Sequence, residues 1–346
     1  MSTSSIRTAQ SDRPTRAERI RSVQASAPIF IIGSQRSGTS FLYRLIQNYL
    51  TIGFGRDNGH FVRMRGQLHL YGDLEKEANL TRLLNDIVSI PEFSKRFKGM
   101  VIDIPAFIAS LETRTYAEVV RRWYAEWAVL NDTTRWGGKT PDYSIYAGEL
   151  YDLFPDAKFI HIIRDGRDVA LSLYKLNWGP KSPLQAARHW ADRAGAAMTF
   201  GRQLPADTYM ELHYENLVDD PAREFARIVR FLDWEGDQEA LIDRFRREIT
   251  GQVKSGNYAK WKKEMSARHV RTFERHAGTL LQNLGYDLAN EDAPGQGPIG
   301  AMGTVFDHLE NLARKLARGE GFVGLYVRAR RLMRDIRLRL GAMIRR

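Results

Sequence analysis

The run Ile29-Phe30-Ile31-Ile32 is short, β-branched and apolar on both faces, and Gly33 ends it. A strand with no polar face must be covered on both sides, which is the situation of a central strand in a parallel sheet. A Ser/Arg/Gly loop follows, and Phe41-Leu42-Tyr43-Arg44-Leu45-Ile46 reads as helix. A second run of the same kind, Lys158-Phe159-Ile160-His161-Ile162-Ile163, passes through a polar turn into a helix around Asp168–Tyr174. His161, inside that strand, reads as a packed core residue. A third candidate strand, Thr208–Leu212, precedes a helix that opens near Asp220-Pro221 and runs to Leu232; proline just inside a helix start is a recognised entry signal. Strands alternating with helices predict an α/β fold with a central parallel sheet flanked by helices.

Residues 53–140 read as mostly helical, with the clearest helix over Tyr116–Leu130, an insertion of the kind that builds the substrate side of a cleft. The Ser/Thr/Arg-rich residues 1–27 are expected to be a flexible leader, with order beginning at Pro28. The domain then spans 28–290, and the Gly/Pro-rich residues 291–303 form a linker. Residues 304–346 form a basic tail in which Leu325, Ala329, Leu332, Ile336, Leu340 and Met343 recur at helical spacing. The absence of cysteine excludes disulfides, thiolate zinc sites and thiol nucleophiles, and fits a reducing compartment. No stretch reaches the roughly 18 apolar residues needed to span a bilayer. The leader lacks the apolar core of a signal peptide. A cytoplasmic protein is therefore expected.

The net charge of +11 belongs to the ends of the chain. Residues 314–346 hold eleven Lys/Arg against Glu320 and Asp335, and residues 1–27 hold five Arg against Asp12 and Glu18. The body between them, with 36 basic and 37 acidic residues, is nearly neutral. A nucleic-acid-binding core carries its own positive field, so no nucleic-acid partner is expected. The tail is a basic amphipathic helix suited to an anionic membrane surface, which would make the protein peripheral on the inner face of a membrane. The competing role for its apolar stripe is to cover the catalytic body or a second subunit.

Gly33-Ser34-Gln35-Arg36-Ser37-Gly38-Thr39-Ser40 joins the first strand to its helix. Backbone N–H groups at a helix start have no helical partner, and the helix dipole favours an anion there. Ser37, Thr39 and Ser40 add hydroxyl donors, Gly38 lets the backbone approach closely, and Arg36 adds charge. The spacing resembles a nucleotide-binding P-loop, so the fold class is a P-loop-like three-layer α/β fold with a C-terminal amphipathic helix. The expected lysine after the last glycine is replaced by Thr39, and the second strand ends in Arg164 before Asp165. Both changes count against a Mg²⁺-dependent kinase or NTPase, which is the closest rival reading. A non-catalytic membrane-surface adaptor is a third.

Pro28–Leu42 (PIFIIGSQRSGTSFL) resembles the 5′-phosphosulfate loop of sulfotransferases that use 3′-phosphoadenosine 5′-phosphosulfate (PAPS), in the branch that reads R-S-G-T. That branch is related to the tyrosylprotein and bacterial sulfotransferases. Phe159–Tyr174 (FIHIIRDGRDVALSLY) is similar to that family's 3′-phosphate motif, and the resemblance assigns the 3′-phosphate grip to Arg164 and Ser172. The alternative for Arg164 and Arg167 is surface pairing with Asp165 and Asp168. Trp136–Pro141 resembles the K-T-P segment, placing Lys139 near the transferring sulfate. His213–Leu217 resembles the Y-E-x-L segment, placing Tyr214 beside adenine. Lys254-Ser255-Gly256 resembles the loop that closes on the 3′-phosphate, although cytosolic members read R-K-G and Ser255 here lacks the second cation.

The resemblance implies PAPS as co-substrate without a metal. Arg36 and Lys139 would neutralise the leaving phosphate, and a small molecule, glycan or lipid would be the acceptor. The histidine that cytosolic relatives place after K-T is Pro141 here. Relatives resembling the tyrosylprotein enzymes carry a carboxylate about twenty residues past the loop, where this chain has Asp57 and His60. Both are chemically capable of taking the acceptor's proton.

Overall fold

The computed structural model describes residues 14–55, 59–253 and 255–290. Asp57, Lys254, the linker at 291–303 and the basic tail at 304–346 lie outside the described residues.

The chain enters through helix α1 (Arg16–Ala25) and strand β1 (Ile29–Ile32), and continues through α2 (Thr39–Leu50) to β2 (Ile52–Gly55). Helices α3 (His60–Arg65), α4 (Glu77–Val88), α5 (Pro91–Arg96), α6 (Ile104–Ala109) and α7 (Tyr116–Leu130) lead to β3 (Arg135–Lys139). A 3-10 turn at Pro141–Ser144 and α8 (Ala147–Leu153) precede β4 (Lys158–Ile163). Then come α9 (Gly166–Tyr174), α10 (Pro183–Gly201), β5 (Tyr209–His213), α11 (Tyr214–Asp219), α12 (Pro221–Phe231), α13 (Gln238–Ile249), α14 (Trp261–Glu264) and α15 (Ala267–Asn283).

The five strands form one parallel sheet in the order β2-β3-β1-β4-β5. The predicted central strands are central, and His161 is fully buried within β4. Side chains alternate across β1. Phe30 and Ile32 face the core shared with α4, α7 and α8, whereas Ile29 and Ile31 face the core shared with α2, α12 and α13. A third core joins α9, α10 and α15 through Val169, Trp190 and Phe273. The three-layer expectation therefore holds, and burying each such side chain is worth about 1.5–3 kcal/mol.

The chain leaves β1 toward the β2 edge, returns through β3, and crosses to β4 on the other side of β1. The order reverses between β1 and β4, and a crevice at such a switch, outside the carboxyl ends of the strands, is where open α/β sheets bind ligands. Both strand-end loops, after β1 and after β4, begin there.

Two features depart from the sequence reading. Residues 53–140 contain two strands besides their helices: most of β2 at the front and β3 near the end. The expected leader also carries α1, which is anchored by a reciprocal Thr15–Glu18 capping box. Ile20 and Val23 of α1 are buried, and Arg16 and Gln24 bond to Glu126 and Glu118 of α7. Order thus begins before Pro28, because two apolar residues and a cap suffice when a partner helix completes the pairing.

Candidate functional site

The loop after β1 owes its shape to backbone conformation. Gly38 sits immediately before α2 in the left-handed region, with φ 99°, and no side chain caps the helix. An added Cβ at Gly38 would lie 2.5 Å from the Tyr214 ring. Arg36 also has positive φ, 71°, an uncommon conformation for a residue with a side chain. Ser37 and Thr39 are buried. The start of α2 therefore offers uncapped N–H groups, local hydroxyls and a helix dipole to an anion.

The second strand-end loop meets the first directly. Arg164 donates from Nη1 to the Arg36 carbonyl at 3.1 Å and from Nη2 to the Asn257 carbonyl at 3.3 Å. Its guanidinium lies 4.3 Å from the centre of the Tyr214 ring, and Asn257 Nδ2 donates to the Tyr214 hydroxyl at 3.0 Å. Arg36 Nε donates to Ser172 Oγ at 2.9 Å. One compact cluster thus unites Arg36, Arg164, Ser172, Tyr214 and Asn257, drawn from four distant stretches of chain. Lys139, at the end of β3, donates to Ser40 Oγ at 3.2 Å and lies over the Tyr43 ring at 5.1 Å.

Buried side chains fix the β4 loop. Arg167 is 2% exposed and bonds Asp165 at 2.8 Å and Glu274 of α15 at 2.6 Å, and its guanidinium stacks 3.7 Å from the centre of the Trp261 ring. Trp261 in turn donates its backbone N–H to Asp168 and its indole N–H to Asp165, both at 3.0 Å. Burial raises the Asp168 pKa, with the Trp261 N–H and Arg164 opposing. Surface pairing of the two arginines does not describe this arrangement: Arg167 is a core residue, and Arg164 reaches both Asp168 at 3.8 Å and the β1 loop. Glu215 supports the strand end by accepting the Asp165 N–H at 3.1 Å, and desolvation raises its pKa.

The loop at 255–258 is tied to Asp219, which accepts from Gly256 N at 3.3 Å and from the Tyr258 hydroxyl at 2.5 Å. Ser255 is exposed beside it. On the opposite side, a Cβ on Gly59 would lie 3.7 Å from Thr140, so the start of α3 borders the K-T-P turn. The His60 ring packs 5.7 Å from that of Phe93. Among the described residues, no group of three or more His, Asp or Glu is placed to hold a metal ion, and no helix is long and apolar enough to cross a membrane.

Sequence reasoning missed His189 and Arg193, and read Asn257 only as part of the loop after Gly256 without a role of its own. His189 Nε2 lies 2.7 Å from Gln35 Oε1 in the β1 loop, and Arg193 bonds Asp142 at 3.3 Å. Neither α10 residue belongs to a recognisable motif, and contact with the loop is visible only in three dimensions.

A model described as the Sulfotransferase family matches residues 28–239. Among curated proteins, the chain is similar to the omega-hydroxy-beta-dihydromenaquinone-9 sulfotransferase Stf3 of Mycobacterium bovis. The two are 28% identical over 165 residues, covering 43% of this chain and 40% of that relative. The chain thus matches less than half the length of that relative. Among solved structures, the sulfotransferase domain of the Synechococcus PCC 7002 olefin synthase is 21% identical, with 76% of this chain and 96% of that one covered at a TM-score of 0.48. A retinol dehydratase solved with retinol and PAP is 18% identical, with 79% and 86% covered at a TM-score of 0.37.

Proposed function

The chain belongs to the sulfotransferase family, and from that premise we propose that it moves a sulfuryl group from PAPS to a hydroxyl or amine of an acceptor. The observation that carries the reading is the contact between the two strand-end loops. Arg164, assigned to the 3′-phosphate, bonds the carbonyl of Arg36, assigned to the 5′-phosphosulfate. A single adenosine donor lying across the β1–β4 switch point would engage both.

In the reaction, an acceptor oxygen or nitrogen forms a bond to sulfur while the bond from sulfur to the 5′-phosphate oxygen breaks. That oxygen leaves with the electron pair, giving adenosine 3′,5′-bisphosphate. Arg36, Lys139, Ser37, Thr39, Ser40 and the N–H groups at the start of α2 stabilise the charge arriving on the phosphate. The paired donors of a guanidinium suit a tetrahedral oxyanion better than an ammonium does. Arg164 and Ser172, with Lys254, Ser255 and Gly256 of the closing loop, hold the 3′-phosphate, and Tyr214 flanks the adenine. The acceptor's proton goes to Asp57 or His60, and the start of α3, which carries His60, borders Thr140. These cations supply the neutralisation that Mg²⁺ gives in P-loop kinases, so the chemistry needs no metal.

For the acceptor, we propose a hydroxyl on a lipid-linked molecule. The Mycobacterium relative is named for an ω-hydroxylated menaquinone. The basic amphipathic tail suits a cytoplasmic protein working at an anionic membrane face.

The test is a thermal shift followed by calorimetry. Adenosine 3′,5′-bisphosphate without Mg²⁺ is expected to raise the melting midpoint, and ATP with Mg²⁺ to do little. Arg164→Ala should weaken bisphosphate binding by about tenfold to a hundredfold, the worth of charge-assisted hydrogen bonds. A wild-type protein that prefers Mg²⁺-ATP, or an Arg164→Ala protein with undiminished affinity, would overturn the assignment.

A further inference from the structure

The β1 loop has a neighbour that the donor reading leaves unused. Arg193 Nη1 lies 3.3 Å from His189 Nδ1, one turn away on α10. Its other nitrogen, Nη2, donates to Asp142 Oδ1 at 3.3 Å. Asp142 stands three residues after Lys139, and its second oxygen lies 3.7 Å from Arg63 of α3. At the far end, His189 Nε2 meets Gln35 Oε1 at 2.7 Å. The chain Asp142–Arg193–His189–Gln35 therefore runs from the K-T-P turn to the residue immediately before Arg36.

The chemistry of these groups sets the direction of each bond. A guanidinium only donates, so His189 Nδ1 must accept and the ring hydrogen must sit on Nε2. Nε2–H then donates to the Gln35 carbonyl oxygen. A Gln35 side chain turned over by half a rotation would set N–H against N–H, so the carboxamide is held in one orientation with its two hydrogens turned away from His189. The same tautomer bars His189 from acting as the general base, because Nε2 has no lone pair to offer. Burial, with the Arg193 charge adding to it and Asp142 opposing, lowers the His189 pKa to about 4, so the ring stays neutral near pH 7.

We propose that Gln35 donates to the sulfuryl oxygens of the bound donor, and that Asp142, Arg193 and His189 are positioning residues that keep its carboxamide in the donating orientation. The inference rests on the PAPS reading above. Two observations favour the sulfuryl end over the phosphate end. Gln35 precedes Arg36 on the side of the loop facing α10, whereas the anion site at the start of α2 lies after it. The hydrogen-bond chain also ends at Asp142, in the turn that follows Lys139. A neutral amide adds no charge, so it separates a phosphosulfate from a plain phosphate by geometry.

The experiment compares PAPS with adenosine 3′,5′-bisphosphate, which has both phosphates and no sulfuryl group. Equilibrium binding of each is measured without acceptor on the full-length chain, for wild type, Gln35→Leu, His189→Phe and His189→Gln, with melting midpoints recorded for all four. Gln35→Leu and His189→Phe should each lose about tenfold in PAPS affinity, the worth of one hydrogen bond to a charged group, and keep their affinity for the bisphosphate. His189→Gln, which retains an N–H donor, should recover part of the loss. Equal losses for the two nucleotides would overturn the proposal by making the chain a loop brace, and unchanged PAPS affinity in Gln35→Leu would overturn it outright. A wild-type protein that binds neither nucleotide would instead sink the PAPS reading itself.

Discussion

The two strand–loop–helix units that frame the β1–β4 crevice reach similar ends by different means. The unit built on β1 and α2 is shaped by backbone: Gly38 at φ 99°, Arg36 at φ 71°, and an uncapped helix start. Its cation, Arg36, is exposed and held through Ser172. The unit built on β4 and α9 is shaped by buried side chains. Arg167, Asp165, Asp168, Glu274 and Trp261 lock together beneath the loop, while Arg164 reaches across to the β1 loop. On the proposed PAPS reading, a loop that follows the transferring group benefits from donors that cost no side-chain ordering. On the same reading, a loop that grips a spectator phosphate tolerates a rigid ionic base. The contrast teaches that similar strand-end loops fail differently: one through φ, the other through an unpaired charge.

The largest effect should come from breaking the ionic base. Arg167→Ala strands Asp165 and Glu274 in the core, and losing one partner of a buried pair costs about 3–5 kcal/mol. Urea unfolding should show it as a lower midpoint at unchanged slope, with the closing loop more susceptible to proteolysis. The corresponding break in the β1 unit is Gly38→Ala. It forces a Cβ to within 2.5 Å of the Tyr214 ring at positive φ, and strain of this kind costs on the order of 1–3 kcal/mol. Here the damage should fall on function, because Tyr214 must move from its place under Arg164. Bisphosphate affinity should drop more than tenfold while the melting midpoint moves by a few degrees. If instead Gly38→Ala unfolded the protein and Arg167→Ala spared it, the division between backbone and ionic support would be wrong.

Sequence legibility follows the same line. Each phosphate unit is contiguous, so a both-faces-apolar strand, a glycine or arginine at its end and a helix were readable in order, and Arg36, Ser172 and Arg164 do converge. Strands β2 and β3 were hidden because close packing put glycine where β-branched residues would signal a strand. A Cβ on Gly55 would sit 2.2 Å from Tyr124, and one on Gly137 would sit 2.3 Å from the Ile29 carbonyl. Helix α1 was hidden because only one of its faces is apolar and its partner, α7, lies roughly a hundred residues away in sequence, at Tyr116–Leu130. The burial of Arg167 was unreadable for a related reason: Glu274, which completes its pairing, lies 107 residues away. His189 and Arg193 look like surface charges on a helix until Gln35, 154 residues away, is brought against His189 and Asp142, 51 residues away, against Arg193.

The smallest effect sharpens the comparison most finely. Asp168 belongs to the β4 unit: one oxygen accepts the Trp261 N–H, and the other has no hydrogen-bond partner. Desolvation raises its pKa above the usual carboxylate value of 3.8. A raised folded-state pKa means that the native protein holds the proton more tightly than the unfolded chain does. The associated stability is therefore complete below the unfolded value and is lost as pH rises through the folded one. Asp168→Asn keeps an oxygen for Trp261 and removes this titration, while every other ionisable group cancels in the comparison with wild type. As pH rises from about 4 to about 7, wild type should lose ground relative to the Asn variant by on the order of 1 kcal/mol or less, a degree or two in melting midpoint. The opposite slope would mean that Arg164, 3.8 Å away, stabilises the carboxylate more than burial penalises it. Arg164 would then be part of the ionic base as well as the ligand that the base presents.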